Sequence, residues 1–195
     1  MKLTETAMKN YQLLFANHSS RLDDTDPEFL QIFANFTFGE AMSHGQLEMK
    51  TRLMVILAAL VARHALSEYK VMLHSALNVG VTPVEVKEII YHSVPYAGSA
   101  FVFDFIHATN DIFSKLGIEP LQEGQSTTDQ QNRLEQGLAV QKQIFGEAID
   151  RNYQQAPANQ LHLQRYLSAN CFGDYYTRGG LDLPTRELLT FITLL

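Results

Sequence analysis

The side chains that could transfer protons or hold a ligand are scattered along this sequence rather than gathered in one motif. His64, His74 and His107 have no second histidine or cysteine four residues away, and no HExxH motif occurs. The single cysteine, Cys171, excludes an internal disulfide, a CxxC redox pair and a thiolate-rich metal site. We therefore expect no metal ion and no cofactor. Arg52 is a different kind of candidate, because its guanidinium could hold a carboxylate through two hydrogen bonds.

The composition is that of a globular protein with no electrostatic preference for nucleic acid or membranes. The chain has 195 residues, of which 46% are hydrophobic and 18% are charged, and its formal net charge is −6. Its Lys and Arg residues are dispersed, so we expect neither a nucleic-acid nor a membrane partner. The start, MKLTETAMKNYQ, lacks the apolar core of a signal peptide, and the apolar run at 53–62 is too short to span a bilayer. These features predict a cytoplasmic protein.

Helical patterns recur along the chain, whereas the alternating patterns and hairpin turns of strands are missing, so we predict an all-α fold. Asp26 and Pro27 indicate a helix start. The sequence Thr82-Pro83-Val84-Glu85 predicts a capping box. Ser67 is predicted to cap a helix that Gly80 ends. The predicted helices cover about 27–40, 49–63, 67–79, 82–94, 99–117, 133–153 and 159–176, with another beginning near 184.

An internal match relates two parts of the chain. Residues 38–61 align without gaps with residues 172–195, at an offset of 134 positions and with seven identities, among them Thr51-Arg52 against Thr185-Arg186. In this alignment the second copy stops where its core helix begins. We expect the first unit or another subunit to cover the apolar face of that helix, because it would otherwise be exposed.

The two copies are separated by IEPLQEGQSTTDQQN, a polar stretch with almost no apolar residues that is typical of a linker. We therefore predict one complete helical repeat over 1–117, a linker over 118–132 and a partial second repeat over 133–195.

Four segments carry a family resemblance: FGEAMSHGQLEMKTRLMVILAAL (38–60), HSALNVGVTPVEVKEIIYHSVPYAG (74–98), IFGEAIDRNY (144–153) and FGDYYTRGGLDLPTRELLTFITLL (172–195). They resemble the carboxymuconolactone decarboxylase family, which includes alkylhydroperoxidase D-like proteins. The resemblance implies an all-α bundle and a homo-oligomer, a trimer or hexamer built through intertwined helices. It also implies either lactone decarboxylation or thiol-dependent peroxide reduction. Tandem two-repeat members of the family exist, which agrees with the internal match.

The peroxide-reducing members of this family use a glutamate, a CxxC pair and a histidine as a proton relay. Anchored on Gly80, these positions fall on Leu53, Ala65, Glu68 and Met72, so none of the relay residues is kept. A thiolate is the nucleophile in that chemistry. We therefore expect no thiol peroxidase activity, although a peroxiredoxin label is attached to the family as a whole.

The decarboxylase members rely on a histidine where this chain has Met72, so proton transfer would need another group. His74 lies about 200° further around the helix. Glu68 could be a general acid or base if burial raises its pKa, or simply a solvated carboxylate near a helix start. His92 and Tyr96 belong to YHSVPYAG, which contributes to the pocket in the family, and the alternative is that each is a packing residue.

Two hypotheses follow from these residues. In the first, the protein is a lyase acting on a small carboxylated lactone or related acid, in which Arg52 holds the carboxylate while His92 or His74 protonates the product carbon. In the second, it is a non-catalytic oligomeric member of the family, and Leu53 and Met72 belong to its core. Under the second hypothesis Arg52 would form a structural salt bridge, for example with Glu40.

Overall fold

The computed structural model of the chain describes residues 2–15, 20–120 and 123–195, and these residues form helices and connecting turns without a strand. The predicted all-α fold is confirmed. The α-helices are α1 Glu5–Phe15, α2 Leu22–Thr25, α3 Pro27–Ala34, α4 Met49–Ala62, α5 Leu66–Asn78, α6 Pro83–His92, α7 Val94–Ala97, α8 Ser99–Lys115, α9 Arg133–Phe145, α10 Ala148–Gln155, α11 Leu161–Tyr166 and α12 Leu183–Leu194. Two π-helical segments, Asn35–Ala41 and Leu167–Tyr176, directly continue α3 and α11.

The capping signals explain where α5 and α6 begin and end. The Thr82 hydroxyl accepts from the Glu85 amide at 3.2 Å, and the Glu85 carboxylate accepts from the Thr82 amide at 2.7 Å, so the predicted capping box is confirmed. Gly80 follows α5 with φ +91°, a conformation that favours glycine.

The predicted cap at Ser67 is wrong. Helix α4 closes through His64, at φ +55°, and the Ala65 amide then donates to the carbonyl of Leu60 at 2.9 Å. This tight closure makes Ala65 the cap of α5, so that Ser67 already lies in the first helical turn.

Helix α4 lies at the centre of the larger core. Its Leu53, Leu57 and Val61 side chains are fully buried and belong to one apolar cluster with side chains of α1, α5, α6 and α8. Helix α12 packs against α4, and its Leu189, 1% exposed, joins the same cluster. Burial of a side chain of this size contributes about 1.5–3 kcal/mol. The first unit therefore covers part of the apolar face of α12, whereas Phe191 remains 59% exposed.

A close backbone approach holds the second π-helical segment against α9. A Cβ atom on Gly137 would lie 1.9 Å from the carbonyl oxygen of Ser168, and one on Gly173 would lie 2.1 Å from the carbonyl oxygen of Arg133. Only glycine allows this separation. The contact fixes the direction in which the π-helical segment presents Cys171 and Tyr176, which pack in a smaller apolar cluster.

Corresponding positions of the two predicted copies have similar local geometry. Helices α4 and α12 begin 134 residues apart, and each follows a π-helical segment. The Arg52 guanidinium donates to the carbonyl of His44 at 2.7 Å, and that of Arg186 donates to the carbonyl of Arg178, at the equivalent position, at 2.8 Å. These similarities fit the repeat. The division into a repeat, a linker and a partial repeat stays a prediction.

Within the described ranges, no helix combines the length and apolar character that crossing a membrane requires.

Candidate functional site

A cavity of about 380 Å³ lies where α7 and α12 meet α9, α10 and the second π-helical segment. Its walls are largely apolar, with polar groups from both parts of the chain. The lining residues are Tyr96, Gln141, Phe145, Ala148, Ile149, Asn152, Gln164, Leu167, Cys171, Phe172, Tyr176, Glu187 and Thr190. Within the described part of the chain, this lining contains one carboxylate, that of Glu187, and no lysine, arginine or histidine.

A chain of hydrogen bonds leads from a buried imidazole to this cavity. His92 Nε2 lies 2.9 Å from the Thr190 hydroxyl oxygen, which lies 2.6 Å from the Tyr176 hydroxyl. The Thr190 hydroxyl also lies 3.2 Å from that of Tyr96, which in turn donates to the Tyr176 hydroxyl oxygen at 3.2 Å. Two tyrosine hydroxyls and one threonine hydroxyl therefore converge on one side of the cavity.

The imidazole of His92 is neutral and held in one tautomer. Its Nε2 lies 3.0 Å from the carbonyl oxygen of Arg186, which can only accept, so Nε2 carries the proton. Nδ1 is then unprotonated, and it is buried without a hydrogen-bond partner among the described residues. Burial, together with the charge of Arg186, lowers the pKa of His92 to about 3. At neutral pH this group positions Thr190 and has no surplus proton to give.

The other groups on this wall keep their protons. Burial raises the pKa of Tyr96 and of Tyr176, and the nearby Glu187 carboxylate raises that of Tyr176 further. Burial also raises the pKa of the Cys171 thiol, and the negative charge of Glu187 acts in the same direction. Tyr96 and Tyr176 are therefore hydrogen-bond donors at neutral pH.

A buried ionic cluster fixes α12 against α6. Glu88, 1% exposed, accepts from Arg178 through Nε at 3.0 Å and a terminal nitrogen at 2.8 Å, and from Arg186 at 3.0 Å. The same Arg186 nitrogen donates to the carbonyls of Arg178 and Gly179. These contacts hold the start of α12 so that its Thr190 faces the tyrosines.

The structure brings two of the five predicted site residues to this cavity. Tyr96 lines it, and His92 reaches it through Thr190. Glu68 is exposed and lines a separate cavity of about 490 Å³ whose walls are mostly apolar. His74 is exposed on α5 and lines none of the cavities described here. The three predicted catalytic residues, His92, His74 and Glu68, therefore do not surround one cavity.

The expected ion pair of Arg52 with Glu40 is wrong. The Arg52 side chain instead donates to the carbonyls of Leu47, at 3.1 Å, and His44, at 2.7 Å, and the ion pairs of the described ranges do not include it. Both carbonyls lie within eight residues of Arg52 in the sequence. The guanidinium therefore closes the turn that precedes α4.

Three residues of this arrangement, Tyr176, Thr190 and Glu88, carry no signal in the sequence that would mark them as functional. Thr190 contacts His92 and Glu88 contacts Arg186, each across 98 positions, so no local pattern indicates these pairs. A signal did exist for Glu187, because it follows Thr185-Arg186 where the family has its acid, a position that the first copy fills with Leu53.

Two positions of the family relay are packed into the larger core. Leu53 is fully buried, and Met72 is half-buried against the same cluster. Over the described part of the chain, no three His, Cys, Asp or Glu side chains come together in a way that could hold a metal ion.

Comparison with known proteins identifies the family. The model of the carboxymuconolactone decarboxylase family matches residues 27–111. A 4-carboxymuconolactone decarboxylase of Acinetobacter baylyi is 34% identical over 99 residues, which are 51% of this chain and 74% of that protein. The chain belongs to the carboxymuconolactone decarboxylase family.

Proposed function

We propose that this chain is a lyase that removes carbon dioxide from a small carboxylated lactone or a related acid, in the cavity lined by Tyr96, Tyr176 and Glu187. The observation that carries this proposal is the convergence of protonated hydroxyls and one carboxyl group on a largely apolar cavity. The Acinetobacter relative is a 4-carboxymuconolactone decarboxylase, which points to the same reaction class.

The reaction needs a place for an electron pair and a source of one proton. As the bond between the carboxylate and its carbon breaks, the electron pair moves towards a carbonyl oxygen of the substrate. The hydroxyls of Tyr96 and Tyr176 can donate to that oxygen as its negative charge develops. The Glu187 carboxylate on the same wall can take a proton from solvent and pass it to the carbon.

The described lining of the cavity is largely apolar and includes no cation, which supports decarboxylation in particular. A carboxylate in an apolar cavity is poorly solvated, and its charge spreads as carbon dioxide leaves, so such surroundings favour the transition state. The carboxylate clamp expected at Arg52 has no part in this proposal, because that guanidinium is bound to carbonyls of its own turn. His92 acts here as a positioning residue rather than as the acid.

The test is carbon dioxide release from γ-carboxymuconolactone by the wild type and by Glu187→Gln, with His107→Gln, an exposed position on α8, as the matched control. Loss of a general acid should lower kcat by roughly 10²–10⁴-fold, whereas the control should match the wild type. Tyr96→Phe should lower kcat as well. A folded wild type without turnover of this or a related carboxylated lactone would overturn the proposal.

The packing of Leu53 and Met72 favours a second candidate, a non-catalytic member of the family. Under this alternative the cavity binds a ligand without turning it over. Binding of the lactone in calorimetry, with no carbon dioxide released, would support it.

We also propose that the protein forms a homo-oligomer, a trimer or hexamer. Phe29, Ile32, Phe33 and Phe36 follow one another at helical spacing and are 44–65% exposed, which leaves an apolar stripe on α3 and the first π-helical segment. Light scattering at micromolar concentration should show the oligomer, and a uniform monomer would contradict this proposal.

A further inference from the structure

A cavity of about 470 Å³ lies apart from the proposed reaction site, between α6 and the C-terminal end of α8. None of its lining residues also lines the reaction cavity. They are Lys87, Tyr91, Asn110, Phe113, Ser114, Gly117, Ile118, Glu119 and Pro120.

The lysine in this cavity is almost buried and has no counter-ion among the described residues. Lys87 is 7% exposed, its ammonium donates to Asn110 Oδ1, and it lies 6.0 Å from the centre of the Phe113 ring. No carboxylate of the described ranges comes within 4.0 Å of its nitrogen. Buried charges are normally paired, because removing an ion from water is costly. Burial accordingly lowers the pKa of Lys87.

We propose that this cavity binds a small monocarboxylate, whose negative charge pairs with the Lys87 ammonium. The Asn110 amide accepts from Lys87 through its oxygen, so its nitrogen can donate to the carboxylate. The Ser114 hydroxyl lines the same cavity and offers a further donor. This binding site does not depend on the proposed reaction. Lys87 binds the ligand there and takes no part in a chemical step.

The other lining residues determine which apolar group the ligand can have and how many negative charges it can carry. The rings of Tyr91 and Phe113 offer flat apolar surfaces that suit an aromatic or branched aliphatic group. Glu119 also borders the cavity and would repel a second negative charge. With the Lys87 ammonium and the Glu119 carboxylate both at this cavity, a ligand with one negative charge is favoured over a phosphate or a dicarboxylate.

The test is calorimetric titration with benzoate and with benzamide, a neutral compound of the same shape. We expect benzoate to bind and benzamide to bind at least about tenfold more weakly, since only the anion pairs with the ammonium. Lys87→Met should weaken benzoate binding by a similar factor, whereas Lys70→Met, the same change at an exposed position on α5, should leave it unchanged. Absence of benzoate binding, or equal binding of both compounds, would overturn the proposal.

Two further measurements separate this site from the reaction cavity and from effects on folding. Glu187→Gln should leave benzoate binding unchanged, and a change in either direction in that variant would place benzoate in the reaction cavity and overturn the proposal. If Lys87→Met does not fold, NMR titration of the Lys87 ammonium in the wild type decides. Its pKa should rise when benzoate is bound, because an adjacent anion favours the charged form, and an unchanged pKa would contradict the proposal.

Discussion

The carboxylate of Glu88 lies 3.0 Å from the guanidinium of Arg186, although the two residues are 98 positions apart and both side chains are 1% exposed. Arg178 binds the same carboxylate from a less buried position. A single acid on α6 therefore holds both the loop before α12 and the start of that helix. The position of Thr190 at the reaction cavity depends on this contact, because Thr190 lies one helical turn beyond Arg186.

Replacing Glu88 should destabilise the fold strongly. In Glu88→Gln the guanidinium of Arg186 stays buried without its counter-charge, which costs about 3–5 kcal/mol. Urea unfolding measures this loss. Glu135→Gln, an exposed change on α9, is the control and should shift the free energy of unfolding by less than about 0.5 kcal/mol. Similar stabilities of the two variants would show that the cluster does not anchor α12.

The neutral state of His92 should make stability depend on pH. Its pKa is about 3 in the folded protein and near 6.5 in the unfolded chain, so between these values the unfolded state binds the extra proton. The contribution is fully present above pH 6.5 and is lost as the pH falls towards 3. Between pH 7 and pH 5 it amounts to about 2 kcal/mol.

The variant His92→Gln should therefore lose less stability than the wild type when the pH is lowered from 7 to 5. Urea midpoints at both pH values measure this difference, and His107→Gln serves as the exposed control. If the wild type and His92→Gln lost the same stability between pH 7 and pH 5, the assignment of this pH dependence to His92 would be contradicted.

The contact between α9 and the second π-helical segment should not tolerate a methyl group. In Gly137→Ala the new Cβ would meet the carbonyl oxygen of Ser168, and relief of this clash should cost about 1–3 kcal/mol. Thermal unfolding provides the measurement. Gly124→Ala is the matched control, because a Cβ there has no atom within 4 Å. An unchanged melting temperature in Gly137→Ala would mean that the two segments lie further apart.

The thiol of Cys171 should react slowly, because burial and the charge of Glu187 raise its pKa. As the one cysteine of the chain, it allows an unambiguous measurement with iodoacetamide at pH 8. We expect labelling at least about tenfold slower than in the urea-unfolded protein. Glu187→Gln should label faster than the wild type, and an unchanged rate would place the Glu187 charge away from the thiol.

Local signals predict the helices of this fold well. The capping box at Thr82 and Glu85 involves residues three positions apart, so the sequence contains all of it. The start of α5 was missed because it depends on the closure of α4 at His64, where a residue other than glycine adopts positive φ. The break between α9 and α10 was missed too, at Gly146, which has φ +61°.

The site was harder to predict, because its contacts join distant parts of the chain. Tyr96 was found through its segment, but its partners Tyr176 and Thr190 lie 80 and 94 positions away. The role of His92 also changes with its surroundings. A histidine that looks like an acid in the sequence becomes a neutral positioning group once the Arg186 carbonyl fixes its proton.

The second π-helical segment, Leu167–Tyr176, makes the site sensitive to chain length. A π-helix accommodates one residue more than an α-helix over the same turn, and it can be viewed as an insertion that the helix has absorbed. Removing one residue near Ser168 would let the segment relax to an α-helix with its backbone hydrogen bonds restored. Every later side chain would then turn by about 100°, and Tyr176 would no longer face Tyr96. In this protein a single-residue deletion could therefore erase the site while leaving the helix intact.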